Sequence, residues 1–196
     1  MLLRSGDLAG FARRLWRRLR GTLEGQSSPI EHGEWRKLWV DLTEQDREVV
    51  AGWQSTTRFA VAVGDGPPDA VATTVTSLGA QLHDRWAVGA EAEEADWVVN
   101  LEAGVVLHPA ALATVARAID ADPGLRLVYV DYDHLDDLGR PTDPCFLPDW
   151  NPDLFDGLGR IGALVARYRT VSDEQVTGLD GGVVHHLPFL LASRPT

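Results

Sequence analysis

The sequence predicts an α/β fold in which a parallel or mixed sheet is flanked by helices. A chain of 196 residues is long enough to bury one core of this kind. Apolar runs at residues 96–101 and Leu125–Val130 have the length of buried strands, and a helical pattern from Pro109 to Ala121 lies between them. A strand, a helix and a strand in this order form a βαβ unit, which makes the two strands parallel with a right-handed crossover.

Composition and charge narrow the classes of function. The formal net charge is −11, while residues 1–20 hold six Arg and one Asp, so the body of the chain is strongly acidic. An acidic body argues against a nucleic-acid partner, because phosphate contacts need Lys and Arg on the binding face. A single cysteine, Cys145, excludes a disulfide framework and a cysteine-type metal cluster. No apolar run is long enough to cross a membrane. A single cysteine fits a reducing compartment and no secretory signal is visible, so we expect a cytoplasmic protein.

The basic N-terminus, residues 1–25, is predicted to form an amphipathic helix. Apolar residues recur at helical spacing and arginines fall between them: Leu8, Phe11, Ala12, Leu15, Trp16 and Leu19 against Arg13, Arg14, Arg17, Arg18 and Arg20. This pattern is typical of a helix on a membrane surface, which would make the chain peripheral on the inner face of the cell membrane. The alternative is a helix that packs its apolar face on the acidic body.

Residues 26–57 are predicted to contain a linker and a helical lead-in. The linker is the segment Gln26–Pro29. Apolar positions from Glu34 to Trp53 indicate a helix, and Thr43 with Asp46 resembles a capping pair that would divide it in two. We expect this segment to serve as a packing helix and to have no catalytic role.

The α/β domain is predicted to occupy residues 58–196. Its first strand is Arg58–Val63, followed by a turn and a helix that Asp69 would cap. The buried stripe of this helix is predicted to be Val71, Val75 and Leu78. Arg85–Val88 indicates a short strand. A solvated turn with three acidic residues is expected after it: Glu91, Glu93 and Glu94.

The stretch from Tyr129 to Phe155 is the most unusual in composition. It contains seven Asp between Asp131 and Asp153, together with four Pro and the large aromatics Phe146, Trp150 and Phe155. The prolines exclude a helix, because each removes a backbone donor and pushes the residue before it into an extended conformation. The aromatics indicate order, since disordered segments are poor in them. We therefore expect a long ordered loop, rich in carboxylates, at the end of a strand.

This stretch resembles the bacterial family 2 glycosyltransferases of O-antigen and related surface-polysaccharide synthesis. The segments that carry the resemblance match without gaps: Tyr129–Asp133, Asp137–Arg140, Asp143–Pro144 and Phe146–Leu154. Over roughly residues 53–192 the resemblance continues in order. It implies a Rossmann-like α/β fold of the glycosyltransferase A type, in shortened form. Part of the nucleotide-binding half and the helix that bears the catalytic base have no counterpart here.

The resemblance also implies where a sugar nucleotide would bind. The family holds Mg²⁺ or Mn²⁺ with an Asp-x-Asp-Asp signature, and the cation neutralises the diphosphate of the donor. The aligned residues here are Glu102-Ala103-Gly104-Val105, so Glu102 is the remaining metal candidate. Asp131 and Asp133 follow the next strand of the βαβ unit. They are expected at the same rim, because ligands gather beyond the carboxyl ends of such strands.

The acceptor side of the site is a further implication of the resemblance. Asp149, Trp150 and Asn151 are the candidates for contact with a saccharide or a lipid-linked sugar acceptor, while no catalytic residue is assigned. Trp150 has two interpretations at this point, a core side chain or a platform on which a sugar stacks.

The C-terminal part is predicted to contain two more strands, Ile161–Ala166 and Val183–Pro188. Between them lie acidic residues without an assigned role, Asp173 and Glu174. His185 and His186 are adjacent and would point to opposite faces of a strand, which predicts one packed ring and one exposed ring.

Two classes of function follow from these expectations. The first is a degenerate, non-catalytic relative, without a cofactor, that binds saccharide or supports assembly of a surface polysaccharide. The second is an active sugar-nucleotide-dependent transferase that uses Mg²⁺ or Mn²⁺ at a reduced site of Glu102, Asp131 and Asp133. The missing carboxylates favour the first class, because function resides in the site and not in the fold.

Overall fold

The structure is a computed structural model that describes residues 31–88, 94–153, 155 and 161–196. The chain divides into two compact units, Met1–Asp41 and Leu42–Thr196, and helix α1 of the first unit spans His32–Trp39. The basic helix and the linker predicted before α1 lie outside the described residues, as do Glu91 and Glu93, so these remain predictions. Within the described ranges, no helix is long and apolar enough to cross a membrane.

The second unit is built on a mixed sheet flanked by helices, which confirms the predicted α/β class. Eight strands are present in the described part of the chain: β1 Phe59–Val63, β2 Trp86–Val88, β3 Trp97–Leu101, β4 Val106–Leu107, β5 Leu127–Leu135, β6 Pro141–Cys145, β7 Val165–Tyr168 and β8 Val184–Pro195. Their order across the sheet is β2-β1-β3-β7-β5-β8-β4, with β6 paired to β5. The helices of this unit are α2 Glu44–Ala51, α3 Pro68–Gly79 and α4 Ala111–Ala121, with 3₁₀ turns at Asp173–Gly178 and Gly181–Val183.

The two strands of the predicted βαβ unit are not neighbours. Strand β7 lies between β3 and β5 and pairs antiparallel with both. Parallel pairing occurs between β1 and β2, β1 and β3, and β5 and β8. The two predicted strands therefore share a direction, but a strand from the C-terminal part of the chain separates them.

Helix α4 supplies much of the core, and its predicted stripe is confirmed. Leu112, Val115 and Ala116 are fully buried and Ile119 is nearly so. The helix begins at Ala111, so Pro109 lies before it and not in its first turn.

Helix α3 differs from the prediction at two positions. Pro67 occupies the N-cap position, so Asp69 does not cap the helix. Asp69 lies in the first turn, where its negative charge interacts favourably with the helix dipole. Leu78 is buried as expected, but Val75 is 50% exposed and Thr74 is buried instead. The buried threonine has a specific role in the turn after β3, described below.

The stretch predicted to be one long loop contains a β-hairpin instead. Strand β5 continues past Val130, and β6 returns antiparallel beside it. The Asp136 carboxylate closes the turn by accepting the backbone N–H groups of Leu138 and Arg140. Strand β6 contains two prolines, and it tolerates them because its outer edge needs no backbone donors for the sheet. Pro152, Asp153 and Phe155 have helical backbone, so the prediction that the prolines exclude a helix is wrong at this point.

Other predicted elements agree with the structure or differ at their ends. The division at Thr43 is confirmed, since its hydroxyl accepts the Asp46 N–H at 3.2 Å and the Asp46 carboxylate accepts the Thr43 N–H at 3.1 Å. The short strand β2 is confirmed. Strand β7 begins four residues later than predicted, at Val165, and β8 extends to Pro195.

Candidate functional site

The turn that carries Glu102 is held between helix α3 and the last strand. The buried Thr74 hydroxyl accepts the Gly104 N–H at 2.9 Å and lies 3.3 Å from the Glu102 carbonyl oxygen. Gly104 has φ +93°, and a Cβ at this position would lie 2.9 Å from Cγ of Pro195. Strand β4, just after the turn, pairs with β8. These contacts fix the turn after β3 against the end of β8.

This arrangement brings Glu102 to Arg194. The Arg194 guanidinium nitrogen lies 3.5 Å from Glu102 Oε2, and the two side chains are 26% and 48% exposed. The guanidinium carbon also lies 5.9 Å from the centre of the Tyr132 ring. Burial, followed by the contact with Cys145, raises the pKa of Tyr132. The carboxylate of Glu102 therefore faces a fixed positive charge of the chain itself.

Asp131 lies inside strand β5 and not in a loop. It is 1% exposed and accepts hydrogen bonds from the Leu147 N–H and from Nε2 of His186, both at 2.8 Å. The other ring nitrogen of His186 lies 3.6 Å from the exposed Asp149 carboxylate. The His186 side chain is 9% exposed while His185 is exposed, which agrees with the prediction of one packed and one exposed ring.

Tyr129 packs against this pair. Its ring stacks on the His186 ring at 4.7 Å and 9°, and its hydroxyl donates to the Pro148 carbonyl at 2.7 Å. Burial, assisted by the charges of Asp149 and Asp131, raises the pKa of Tyr129 to about 12. The cluster of Tyr129, Asp131 and His186 thus joins β5, β8 and the segment after β6.

The carboxylates predicted to hold a divalent cation do not fit one. Glu102 faces a guanidinium, Asp131 is engaged by an imidazole and a backbone amide, and Asp133 is completely buried in β5. Among the residues that the structure describes, no group of three or more His, Cys, Asp or Glu side chains has the arrangement to hold a metal ion. Mg²⁺ and Mn²⁺ need several oxygen ligands around one point.

The three acceptor-side candidates have different environments. Asp149 is fully exposed, and the Asn151 side chain accepts the Asp153 N–H at 3.1 Å. Trp150 donates its indole N–H to the Leu179 carbonyl at 3.0 Å and stacks on Phe155 at 5.1 Å and 17°. One face of the indole is therefore already covered, which favours the core interpretation of Trp150.

A cavity of about 620 Å³ lies over the sheet next to the turn after β3. Its floor is apolar and comes from β1, β3, β5 and β7. The polar side chains that line it are Asn100, Glu102, Arg167, Asp173 and Thr177. Arg167 and Asp173 form an ion pair at 3.0 Å, which gives Asp173 a partner that the sequence did not indicate.

Two residues of this region were not among the predicted site residues, Arg194 and His186. Both lie on β8, far along the chain from the carboxylates that they contact. A signal for His186 was present in the strand pattern, which predicted one packed ring. Arg194 had no local signal, because its position depends on the pairing of β8 with β4 and β5.

Comparison with known proteins finds partial similarity. The chain is 42% identical over 102 residues to the O-antigen biosynthesis protein RfbC of Myxococcus xanthus, which covers 50% of this chain and 8% of that protein. It is 37% identical over 68 residues to the uncharacterized protein y4gI of Sinorhizobium fredii (strain NBRC 101917 / NGR234), which covers 35% of this chain and 8% of that protein. No family model matches the chain. The matched part therefore spans less than a tenth of the length of these curated relatives.

Proposed function

We propose that this chain is a family 2 glycosyltransferase-like protein of bacterial surface-polysaccharide assembly with a degenerate sugar-nucleotide site. It would bind saccharide, or a lipid-linked sugar, without transferring sugar from a nucleotide. Its fold would be a shortened form of the glycosyltransferase A type. The name of the Myxococcus relative and the 42% identity over half of this chain support the link to polysaccharide synthesis.

The contact between Glu102 and Arg194 is the main support for a degenerate sugar-nucleotide site. In the related enzymes the residue at this position would share a cation with two further carboxylates. Here the aligned neighbours are Ala103, Gly104 and Val105, and the carboxylate lies beside a guanidinium. A divalent cation at this point would meet a positive charge and too few oxygen ligands.

The cavity over the sheet supports a binding role. Its volume of about 620 Å³ falls within the range of small-molecule sites. Its polar side chains include hydrogen-bond donors and acceptors, and each of its two carboxylates lies beside an arginine, Asp173 beside Arg167 and Glu102 beside Arg194. This mixture suits a neutral ligand with many hydroxyl groups above an apolar floor, as a saccharide offers.

The proposal is tested by measuring turnover and saccharide binding on the full chain. Uridine, guanosine and thymidine diphosphate sugars with Mn²⁺ should release no nucleoside diphosphate above the spontaneous rate. Oligosaccharides from a bacterial surface polysaccharide should give saturation-transfer signals by NMR. Asn100→Ala should weaken these signals if the cavity binds, whereas Asn151→Ala should weaken them if the exposed acceptor side binds. Metal-dependent turnover would contradict the degenerate site, and no binding to either place would contradict the binding role.

A further inference from the structure

We infer that Arg167 and Asp173 give the cavity over the sheet its specificity, and that they bind two adjacent hydroxyl groups of a neutral saccharide. The inference rests on the proposed binding role and adds to it the chemical group that is recognised. It also gives a role to Asp173, for which the sequence indicated none.

Arg167 lies over the apolar floor of the cavity. On strand β7 it is in register with Val98 of β3 and with Leu127 of β5, and all three residues line the cavity. The Arg167 side chain is 19% exposed, so a group that stays charged at every ordinary pH lies among apolar neighbours. A charge in such a place needs acceptors close to it, because a buried charge without partners is unfavourable. The acceptors around Arg167 therefore decide what else it can bind.

The contacts of the guanidinium with the chain leave it able to bind a ligand. Nη1 donates to the Val171 carbonyl, and Nε lies 3.0 Å from Asp173 Oδ1. The buried Nε–H is not aligned with that oxygen, and it has no hydrogen-bond acceptor among the residues that the structure describes. Charge therefore holds the pair together without a completed hydrogen bond at Nε. A hydroxyl group of a ligand can complete it, because a hydroxyl accepts from an N–H and donates to a carboxylate.

The turn that carries Asp173 is fixed while its carboxylate stays accessible. This 3₁₀ turn begins with a capping box of Ser172 and Gln175. Just after it ends, the Leu179 carbonyl accepts the indole N–H of Trp150. The Asp173 side chain is 77% exposed, so its carboxylate can move aside and admit a hydroxyl group next to Nε of the arginine. The backbone thus keeps Asp173 at the wall of the cavity, and the side chain adapts to the ligand.

The charges at the cavity favour hydroxyl groups over ions. The two carboxylates of its lining, Asp173 and Glu102, each lie beside an arginine. An anionic group of a ligand would meet these carboxylates, and a cationic group would meet the guanidinium of Arg167. Adjacent hydroxyl oxygens of a pyranose are separated by a distance similar to the 3.0 Å between Nε and Oδ1. One hydroxyl can therefore bind each member of the pair.

The floor of the cavity suits the ring of the same ligand. Apolar side chains from four strands line it: Ala62, Val98, Leu127 and Val165. A pyranose ring has C–H groups on its faces and hydroxyl groups at its edge. With one face on this floor, the edge of the ring can point at Arg167 and Asp173, so apolar contact and hydrogen bonding act together.

The experiment measures the affinity of the full chain for simple glycosides by saturation-transfer NMR. The probes are the methyl pyranosides of glucose, galactose and mannose, each with its 3-deoxy and its 6-deoxy analogue. The 3-deoxy analogue has no two adjacent ring hydroxyl groups, whereas the 6-deoxy analogue keeps them all. The two analogues therefore separate recognition of adjacent hydroxyls from recognition of the sugar as a whole.

The variants are Asp173→Asn and Arg167→Lys, and Glu174→Gln is the matched control. Glu174 is the next carboxylate in the same turn, but it is exposed and is not part of the cavity lining. Asp173→Asn changes a mostly exposed side chain, so it keeps the test usable if the more buried Arg167→Lys fails to fold. Thermal melting of each variant checks that it is folded.

We expect at least one parent glycoside and its 6-deoxy analogue to bind. The 3-deoxy analogue should bind about tenfold more weakly, and Asp173→Asn and Arg167→Lys should each weaken binding of the parent by about as much, because a hydrogen bond to a charged group is lost. Lysine does not replace arginine here, since its ammonium lacks the planar fork of donors. Glu174→Gln should bind like the wild type. In Asp173→Asn the parent and the 3-deoxy analogue should bind with similar affinity, because the group that distinguishes them is gone.

Other results would overturn the inference and still separate it from the proposed function. Glycoside binding that Asn100→Ala weakens and Asp173→Asn does not would leave the cavity as the site and make the ion pair a structural contact. Equal affinity for the parent and the 3-deoxy analogue in the wild type would show that adjacent hydroxyls are not recognised. If no glycoside binds while oligosaccharides of a surface polysaccharide do, the inference alone is wrong. If neither binds, the proposed binding role is wrong as well.

Discussion

Asp131 shows how a residue predicted for a ligand site serves the fold. Its carboxylate accepts the ring N–H of His186, 55 positions later in the chain, and a backbone N–H from the segment after β6. Removal of a buried acceptor leaves its donors without a hydrogen-bond partner.

Asp131→Ala should therefore destabilise the domain by about 1–3 kcal/mol for each buried donor that loses its acceptor, the His186 ring and the Leu147 amide. Urea unfolding measures this change. The matched control is Asp149→Ala, which removes a fully exposed carboxylate from the other side of the same imidazole. The control should change stability by less than about 0.5 kcal/mol, as is usual for a surface substitution. Equal effects of the two variants would argue against a structural role for Asp131.

Trp150 offers a second prediction for a single residue. Its indole stacks on Phe155 and donates to the Leu179 carbonyl, so Trp150→Ala should cost about 3 kcal/mol, the low end for a large aromatic because the ring is only partly buried. Asp137→Ala, in the exposed hairpin turn, should leave the melting temperature almost unchanged. A Trp150→Ala variant that melts normally but no longer binds oligosaccharide would instead assign the indole to recognition.

Among the elements, the hairpin of β5 and β6 is the clearest departure from the sequence-based prediction. Asp131 and Asp133 occur in a strand although Asp is uncommon there, and Pro141 and Pro144 occur in its partner. The prolines are tolerated because β6 is an edge strand, which is a property of the sheet and not of the local sequence. Sequence patterns predicted the structure correctly where the contact joins residues close together in the chain, as in the capping box of Thr43 and Asp46.

The same distinction applies to the candidate site. Glu102 was found at the end of a strand, as a pattern of apolar residues predicts. Its partner, Arg194, depends on the pairing of β8 with two other strands, which no short pattern reveals. The order of the sheet, with β7 between β3 and β5, was missed for the same reason.

The packing of the turn after β3 against β8 can be measured with a pair of glycines. Gly104 and Gly139 both have positive φ, so substitution by Ala should cost each about 1–2 kcal/mol for the backbone alone. A Cβ on Gly104 would also meet Pro195, whereas a Cβ on Gly139 would meet nothing within 4 Å. Gly104→Ala should therefore cost more, by about 1–3 kcal/mol of overpacking. Equal unfolding free energies for the two variants would contradict the close contact with β8.

The stability of the whole domain should depend on pH through His83. The ring is buried, lies with Nε2 3.0 Å from the Thr57 carbonyl oxygen, and is met edge-on by Phe59. Burial lowers the pKa of His83 below its ordinary value of 6.5. The unfolded chain then binds a proton at a higher pH than the folded chain does, so folding is penalised as the pH falls through 6.5 and below.

We expect His83→Gln to reduce this loss, because the amide stays neutral and still offers an N–H to the carbonyl. Urea unfolding at pH 7.5 and pH 5.5 gives the measurement, and the wild type should lose more stability between the two pH values than the variant. The comparison is needed because protonation of carboxylates also changes the charge of a chain that carries a net −11. Equal losses of stability in the wild type and in His83→Gln would show that another group causes most of the pH dependence.

At the scale of the whole molecule, we propose that this acidic α/β domain has kept Glu102 at the carboxyl end of a strand and has lost the carboxylates that would share a cation with it. Calorimetric titration of the full chain with uridine, guanosine and thymidine diphosphate sugars in Mn²⁺ measures this loss. We predict no Mn²⁺-dependent binding tighter than about 0.1 mM, an affinity worth roughly 5.5 kcal/mol. Tighter binding that disappears both with EDTA and in Glu102→Gln would contradict the degenerate site and make the chain a metal-dependent sugar-nucleotide binder.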